Sequence, residues 1–152
     1  MIYKSVLSAT PKGKGVIAQY ACNSYGDTCV WISDYPTQQY SLDFKELPDY
    51  NSLRECLAKV KLPAIAFLEV DKSSDFTVAF RTGILFSVLN AAGAIVKPIS
   101  SKDWLKSCPE SKSTCIDLAK HRYPSLDLKS ENDYDRAVAL LNLDFFIQLL
   151  ET

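Results

Sequence analysis

No stretch of the sequence reaches the roughly eighteen uninterrupted apolar residues that a membrane span requires. The opening residues, Met1-Ile2-Tyr3-Lys4, lack the basic segment, apolar core and small-residue cleavage site of a secretory signal, so none is expected. An excess of charge is missing too. Seventeen Lys and Arg against eighteen Asp and Glu leave a net charge of -1. That excludes a histone-like cation gripping nucleic acid by bulk charge, and equally a polyanionic mimic of DNA. Any nucleic-acid contact needs a local basic patch. Histidine is limited to His121, placed late in an expected helix where a cation suits the dipole. With no Cys or Ser beside it in a recognisable motif, it offers no nucleophilic site. The five cysteines, an odd number, include no closely spaced pair. Cys22 and Cys29 are separated by six residues, as are Cys108 and Cys115. Thiolate pairs in zinc sites stand roughly two to four residues apart. Free thiols in a reducing compartment are therefore expected, and a cytoplasmic protein with them.

What is present describes one compact domain over residues 1–152. At 152 residues and 47% hydrophobic, the chain is long enough to bury a sizeable core. Val6 to Thr10, Gly15 to Cys22 and Thr28 to Ser33 are β-branched or aromatic runs. Short turns at 11–15 and 23–27 join them, which predicts a three-stranded antiparallel meander. Pro36 to Asp49 has no clear period and reads as a short extended piece or a loop. Leu53, Cys56, Leu57 and Val60 then recur at helical spacing, and Pro63 to Val70 is the apolar run of a strand buried on both faces. Phe76 to Ala92 reads as a helix with Phe76, Phe80, Ile84, Val88 and Ala91 on one stripe, stopped by Gly93. Ala94 to Ile99 is expected to be another short buried strand, ended by Pro98. Helices follow from Ser111 or Ser113 to Arg122 and from about Glu131 to Leu150, the latter with Ser130 and Asp133 as a capping-box-like start. The order β-β-β-α-β-α-β-α-α predicts an α/β domain, a mixed sheet with helices on its faces.

Glu69 stands out among the polar residues. It ends the buried run Ala64-Ile65-Ala66-Phe67-Leu68, where a charge is costly unless it meets a cation, a metal or the sheet edge. Ligands of mixed α/β sheets gather at such carboxyl ends. Glu131, Asp133 and Asp135 open the last helix; Glu131 and Asp135 share a face, but acids also suit a helix N-terminus for its dipole alone. Lys12 and Lys14 form a basic turn, and with Lys97, Lys102, Lys106 and Lys112 they fit either a phosphate track or an ordinary solvated surface. Trp104, Tyr25, Tyr35 and Tyr40 fit packing better than base stacking.

The order of elements and several short motifs resemble the RuvC-like Holliday-junction resolvases, a branch of the RNase H-like superfamily, and especially its compact phage-type members. The matching pieces are Ala66-Phe67-Leu68-Glu69-Val70, Gly83-Ile84-Leu85 through Ala92-Gly93, and Val96-Lys97-Pro98 with Lys102-Asp103-Trp104-Leu105-Lys106. They continue with Lys112-Ser113, Ile116-Asp117-Leu118-Ala119, Tyr123-Pro124 and Asp135-Arg136-Ala137-Val138-Ala139-Leu140. Ala9-Thr10-Pro11 and Gly15-Val16-Ile17-Ala18 resemble the first hairpin. The resemblance implies an RNase H-like fold with a central mixed five-stranded sheet of order 3-2-1-4-5. It also implies carboxylates holding two Mg²⁺ (or Mn²⁺) ions for phosphodiester cleavage, a homodimer matched to the two-fold symmetry of a four-way junction, and a role for the Phe76 to Ala92 helix in that dimer.

Carried over, Glu69 takes the second carboxylate position, Asp135 the last, and Lys112 the place of a basic residue near the scissile phosphate. The third position falls on Asn132 or Glu131. The first, normally a bridging aspartate, falls on Thr10, and a neutral hydroxyl is a poor ligand for hard divalent ions. Three readings follow. The leading one is a catalytically degenerate resolvase-like domain that binds branched or structured nucleic acid or a protein partner, with Lys12, Lys14, Lys102, Lys106 and Lys112 as the basic surface. The others are an active endonuclease on branched DNA, with Glu69, Asp135 and Glu131 as ligands, and a pure protein-interaction scaffold.

Overall fold

The structure is a computed structural model that describes residues 2–12, 15–22, 28–34, 37–38, 47–58, 60–72, 76–106, 108–109, 111–126, 128 and 133–152. Strands β1 (Ser5–Thr10), β2 (Val16–Cys22) and β3 (Thr28–Asp34) form the expected antiparallel meander. The turn between β1 and β2 closes where Gly15 donates its N–H to the Lys12 carbonyl at 2.9 Å, with Gly15 at φ 78°. A side chain would strain that left-handed conformation. The second turn, 23–27, lies outside the described residues. In the region without a clear period, β4 (Thr37–Gln38) pairs with β5 (Leu47–Pro48).

Strand β6 (Ala64–Val70) lies parallel to β1, in register from Ser5↔Ala64 to Ala9↔Leu68. Strand β7 (Ile95–Ser100) lies parallel to β6 on its other side. The main sheet runs in the order β3-β2-β1-β6-β7. Its two central strands, β1 and β6, are buried almost from end to end, as apolar runs without alternation require. Strand β7 departs from expectation. It is an edge strand, with Ile95, Lys97 and Pro98 exposed, and Pro98 sits inside it rather than ending it. An edge tolerates proline because one side of its ladder needs no donor, and Lys97 with Pro98 blunts pairing with other chains.

Alternation along the strands builds a core on each face. Val6, Ile65 and Phe67 pack with Trp104 of α3 (Ser101–Trp104), with α4 (Lys112–Arg122) and with α5 (Tyr134–Glu151). Leu7, Ala9, Ala64, Ala66 and Leu68 face α1 (Tyr50–Leu57) and α2 (Phe76–Ala91). Phe67 stacks on Phe146 of α5 at 4.0 Å between centroids, with the rings 16° from parallel. Helix α5 packs against both the sheet and α4, and residues 137–143 are buried all round. Its expected start near Glu131 lies outside the described residues, and its described part runs from Tyr134. Asp133 is its N-cap and makes no side-chain capping bond, while Ser130 and Glu131 lie outside the described residues.

The apolar stripe expected on α2 is not its core face. Arg81, Leu85, Val88 and Leu89 are buried, whereas Phe76, Phe80 and Phe86 are 62%, 45% and 44% exposed. The stripe from Phe76 to Val88 advances about 40° per four-residue step, so it winds from the solvent side to the core side. No helix among the described residues is long and apolar enough to cross a membrane.

Candidate functional site

The parallel pairing of β1 with β6 brings Thr10 beside Glu69, one step past the Ala9↔Leu68 pair. By the alternation that sorts the two cores, both side chains fall on the α4–α5 face. Glu69 is 2% exposed and Thr10 1%. The Thr10 hydroxyl donates to Glu69 Oε1 at 2.6 Å and accepts the Lys12 backbone N–H at 3.2 Å. Lys12 then folds its side chain over the strand end, placing Nζ 3.1 Å from Glu69 Oε2 and 3.2 Å from Asp71 Oδ2. Glu69 thus meets both a neutral donor and a cation, which satisfies the requirement that its position in an apolar strand imposes. Burial works against the Lys12 charge. Hydrogen bonds to Glu69 and Asp71, together with their charges, outweigh it and hold the ammonium above its ordinary pKa.

The surroundings fix this arrangement. Arg81, buried in α2, donates from Nη1 to the Pro11 carbonyl at 3.4 Å and so ties the β1–β2 turn to the helix beneath it. Ser101, the first residue of α3, donates to the Val70 carbonyl at 3.4 Å and ties α3 to the end of β6. On the other side stands the start of α5. Burial first, then the negative charge that Cys115, Cys108, Asp135 and Glu69 carry when ionised, pushes the Tyr134 phenol up. Lys112, the first residue of α4, holds its ammonium 5.2 Å from the Tyr134 ring centroid, a distance suited to cation–π attraction.

The structure therefore brings Thr10, Lys12 and Glu69 together at one end of the sheet with Asp71 beside them, while Asp135 lies in the first turn of α5 and Lys112 opens α4. Lys14, Glu131 and Asn132 lie outside the described residues. Lys97, Lys102 and Lys106 are exposed, and Lys106 pairs with Asp103 at 2.8 Å. Trp104 is 2% exposed and serves the core; Tyr25, Tyr35 and Tyr40 are not among the described residues. Cys56, Cys108 and Cys115 are free thiols, and the buried Cys115 donates to the Pro109 carbonyl at 3.2 Å. His121 is exposed in the last turn of α4. The sequence reading missed Asp71 and Arg81. Asp71 was detectable as a second acid two residues after Glu69, the spacing that puts strand side chains on one face. Arg81 was detectable as a cation on an otherwise apolar helix.

A pair of divalent ions fits the described residues poorly. Both oxygens of Glu69 are engaged within the chain, Asp71 is paired, and the first-strand position holds a hydroxyl. Ser8, on the same face of β1, is no substitute ligand of the carboxylate kind. Among the described residues, no three or more His, Cys, Asp or Glu side chains converge as a metal site.

The sequence matches no protein-family profile and no curated protein. Solved structures do match in fold. Thermus thermophilus RuvC in complex with Holliday junction substrate superposes with a TM-score of 0.59 at 10% identity, covering 95% of this chain and 96% of that one. A second Thermus thermophilus RuvC structure gives 0.56 at 9% identity, with the same coverage. The chain therefore has the RNase H-like α/β fold of RuvC along nearly its whole length.

Proposed function

We propose that the chain is a resolvase-fold protein of the compact phage-type kind, binding branched or structured nucleic acid without efficient cleavage. One observation carries the reading: at the centre of the candidate site, the hydroxyl of Thr10 donates to Glu69 Oε1 at 2.6 Å. A bridging carboxylate there would repel Glu69 and draw in divalent cations; Thr10 instead makes Glu69 part of a closed hydrogen-bonded structure. Nucleic acid is the favoured ligand because the RuvC structure of like fold holds a Holliday junction substrate. Lys97 of β7, Lys102 of α3 and Lys112 at the start of α4 are exposed cations available to a phosphate backbone. A homodimer belongs to this proposal, supported by the outward face of α2, where Phe76, Phe80 and Phe86 meet solvent. The free thiols of Cys56, Cys108 and Cys115 suit a cytoplasmic setting.

A second reading, an active Mg²⁺- or Mn²⁺-dependent endonuclease, draws on the resemblance that assigns Glu69 and Asp135 to carboxylate ligand positions. Incubation of a synthetic four-way junction with Mg²⁺ or Mn²⁺, beside a Glu69→Gln control, separates the two. The proposal expects an intact junction in every lane. Symmetric nicking that needs the metal and disappears in Glu69→Gln would establish the nuclease instead.

A further inference from the structure

The poor fit to divalent metal has a specific structural cause. Glu69 and Asp71, two residues apart at the end of β6, present carboxylate oxygens to one point, and the atom at that point is Lys12 Nζ, 3.1 and 3.2 Å away. The Lys12 carbonyl accepts from Gly15, its N–H donates to Thr10 Oγ1, and the preceding carbonyl, that of Pro11, accepts from Arg81. The backbone that carries the ammonium is thus fixed on three sides. A cation tethered in this way needs no binding entropy from solution, whereas a divalent ion must shed water and displace it.

We infer that the Lys12 ammonium is the resident cation of this site, occupying the Glu69–Asp71 carboxylates in place of a divalent ion and closing them to Mg²⁺ and Mn²⁺. The inference rests on the proposed function for where the site lies, but not on any binding of nucleic acid. It turns a single lysine into the reason the site does not take a metal. It also means that the acid pair is latent: removal of the amine exposes two carboxylates whose cation is gone. Thr10 reinforces the closure by holding the other oxygen of Glu69.

Titration of Mn²⁺, followed by the paramagnetic resonance signal of the free hydrated ion, tests this without DNA. The wild type is expected to leave the signal undiminished into the millimolar range. Lys12→Ala is expected to bind one equivalent at least about tenfold more tightly than the wild type, and Lys12→Ala combined with Glu69→Gln to lose that gain. Lys12→Met, which keeps the aliphatic stem, repeats the test if the alanine variant is not folded by circular dichroism. Equal Mn²⁺ affinity in the wild type and a folded Lys12 variant would overturn the inference. So would tight binding by the wild type alone, whatever the variants do. Because no nucleic acid enters, failure of the DNA-binding proposal would leave this result readable by itself.

Discussion

At the residue scale, the candidate site is an exercise in satisfying one buried carboxylate. Glu69 is isolated within an apolar strand, so its need for partners could be read from the sequence, and a cation was among the partners that need named. Which cation it meets could not. Lys12 lies in a turn far away in sequence, and nothing in a turn's composition states whether a flexible lysine points to solvent or folds back over a strand end; the parallel β1–β6 register decides it. Thr10 holds the other oxygen, and its removal isolates the cost. Thr10→Val keeps the shape but leaves Glu69 Oε1 without its neutral donor, so unfolding stability in urea should fall by about 1–3 kcal/mol. An unchanged midpoint and slope would show that the Thr10–Glu69 hydrogen bond does not contribute.

At the scale of elements, the chain order and most strand and helix spans were legible because apolar runs and periodicity carry them. The faces were not. In α2 the phenylalanines Phe76 and Phe80 resemble core residues by type, yet Leu85, Val88 and Leu89 turn inward instead, and the two rings stand 6.0 Å apart on the outside. Hydrophobic type alone cannot distinguish a core face from an interface on a helix that is apolar on both sides. Strand β7 differs for the same reason: Ile95, Val96 and Ile99 look like a central strand, yet among the described residues β7 pairs only with β6 and lies at the edge. If the outer face of α2 joins two copies, Phe76→Glu with Phe80→Glu should change monomer stability by no more than about 0.5 kcal/mol. Sedimentation should then find a monomer where the wild type is a dimer. A variant that sediments as the wild type does would remove α2 from the interface.

At the scale of the whole molecule, the sheet separates two cores, and α5 binds one of them to the site. Its first turn carries Tyr134 and Asp135, while Phe146, further along the same helix, is 4% exposed and stacks on Phe67 in β6, the strand that carries Glu69. Trp104 closes the same cluster, 6.3 Å from the Phe146 ring. Phe146→Ala should therefore cost about 3–5 kcal/mol of stability, measured by chemical denaturation. A loss well below that range would mean that α5 is held mainly by α4 and not by the sheet. The start of α5 shows where sequence reading stops. Asp133 is its N-cap and makes no side-chain capping bond, and packing against β1, β2 and α4 holds the helix there, while Ser130 of the expected capping box lies outside the described residues.

The most direct test of the whole account is the affinity of the protein for a four-way junction and for a linear duplex of the same sequence, both measured by fluorescence anisotropy in chelator. A fold that retains a junction-binding groove without needing a metal predicts preference for the junction with no divalent ion present. If roughly three lysines contact phosphates, affinity should fall about fortyfold between 50 and 200 mM salt. Equal affinity for the two DNAs, or junction binding that appears only when Mg²⁺ is restored, would contradict it.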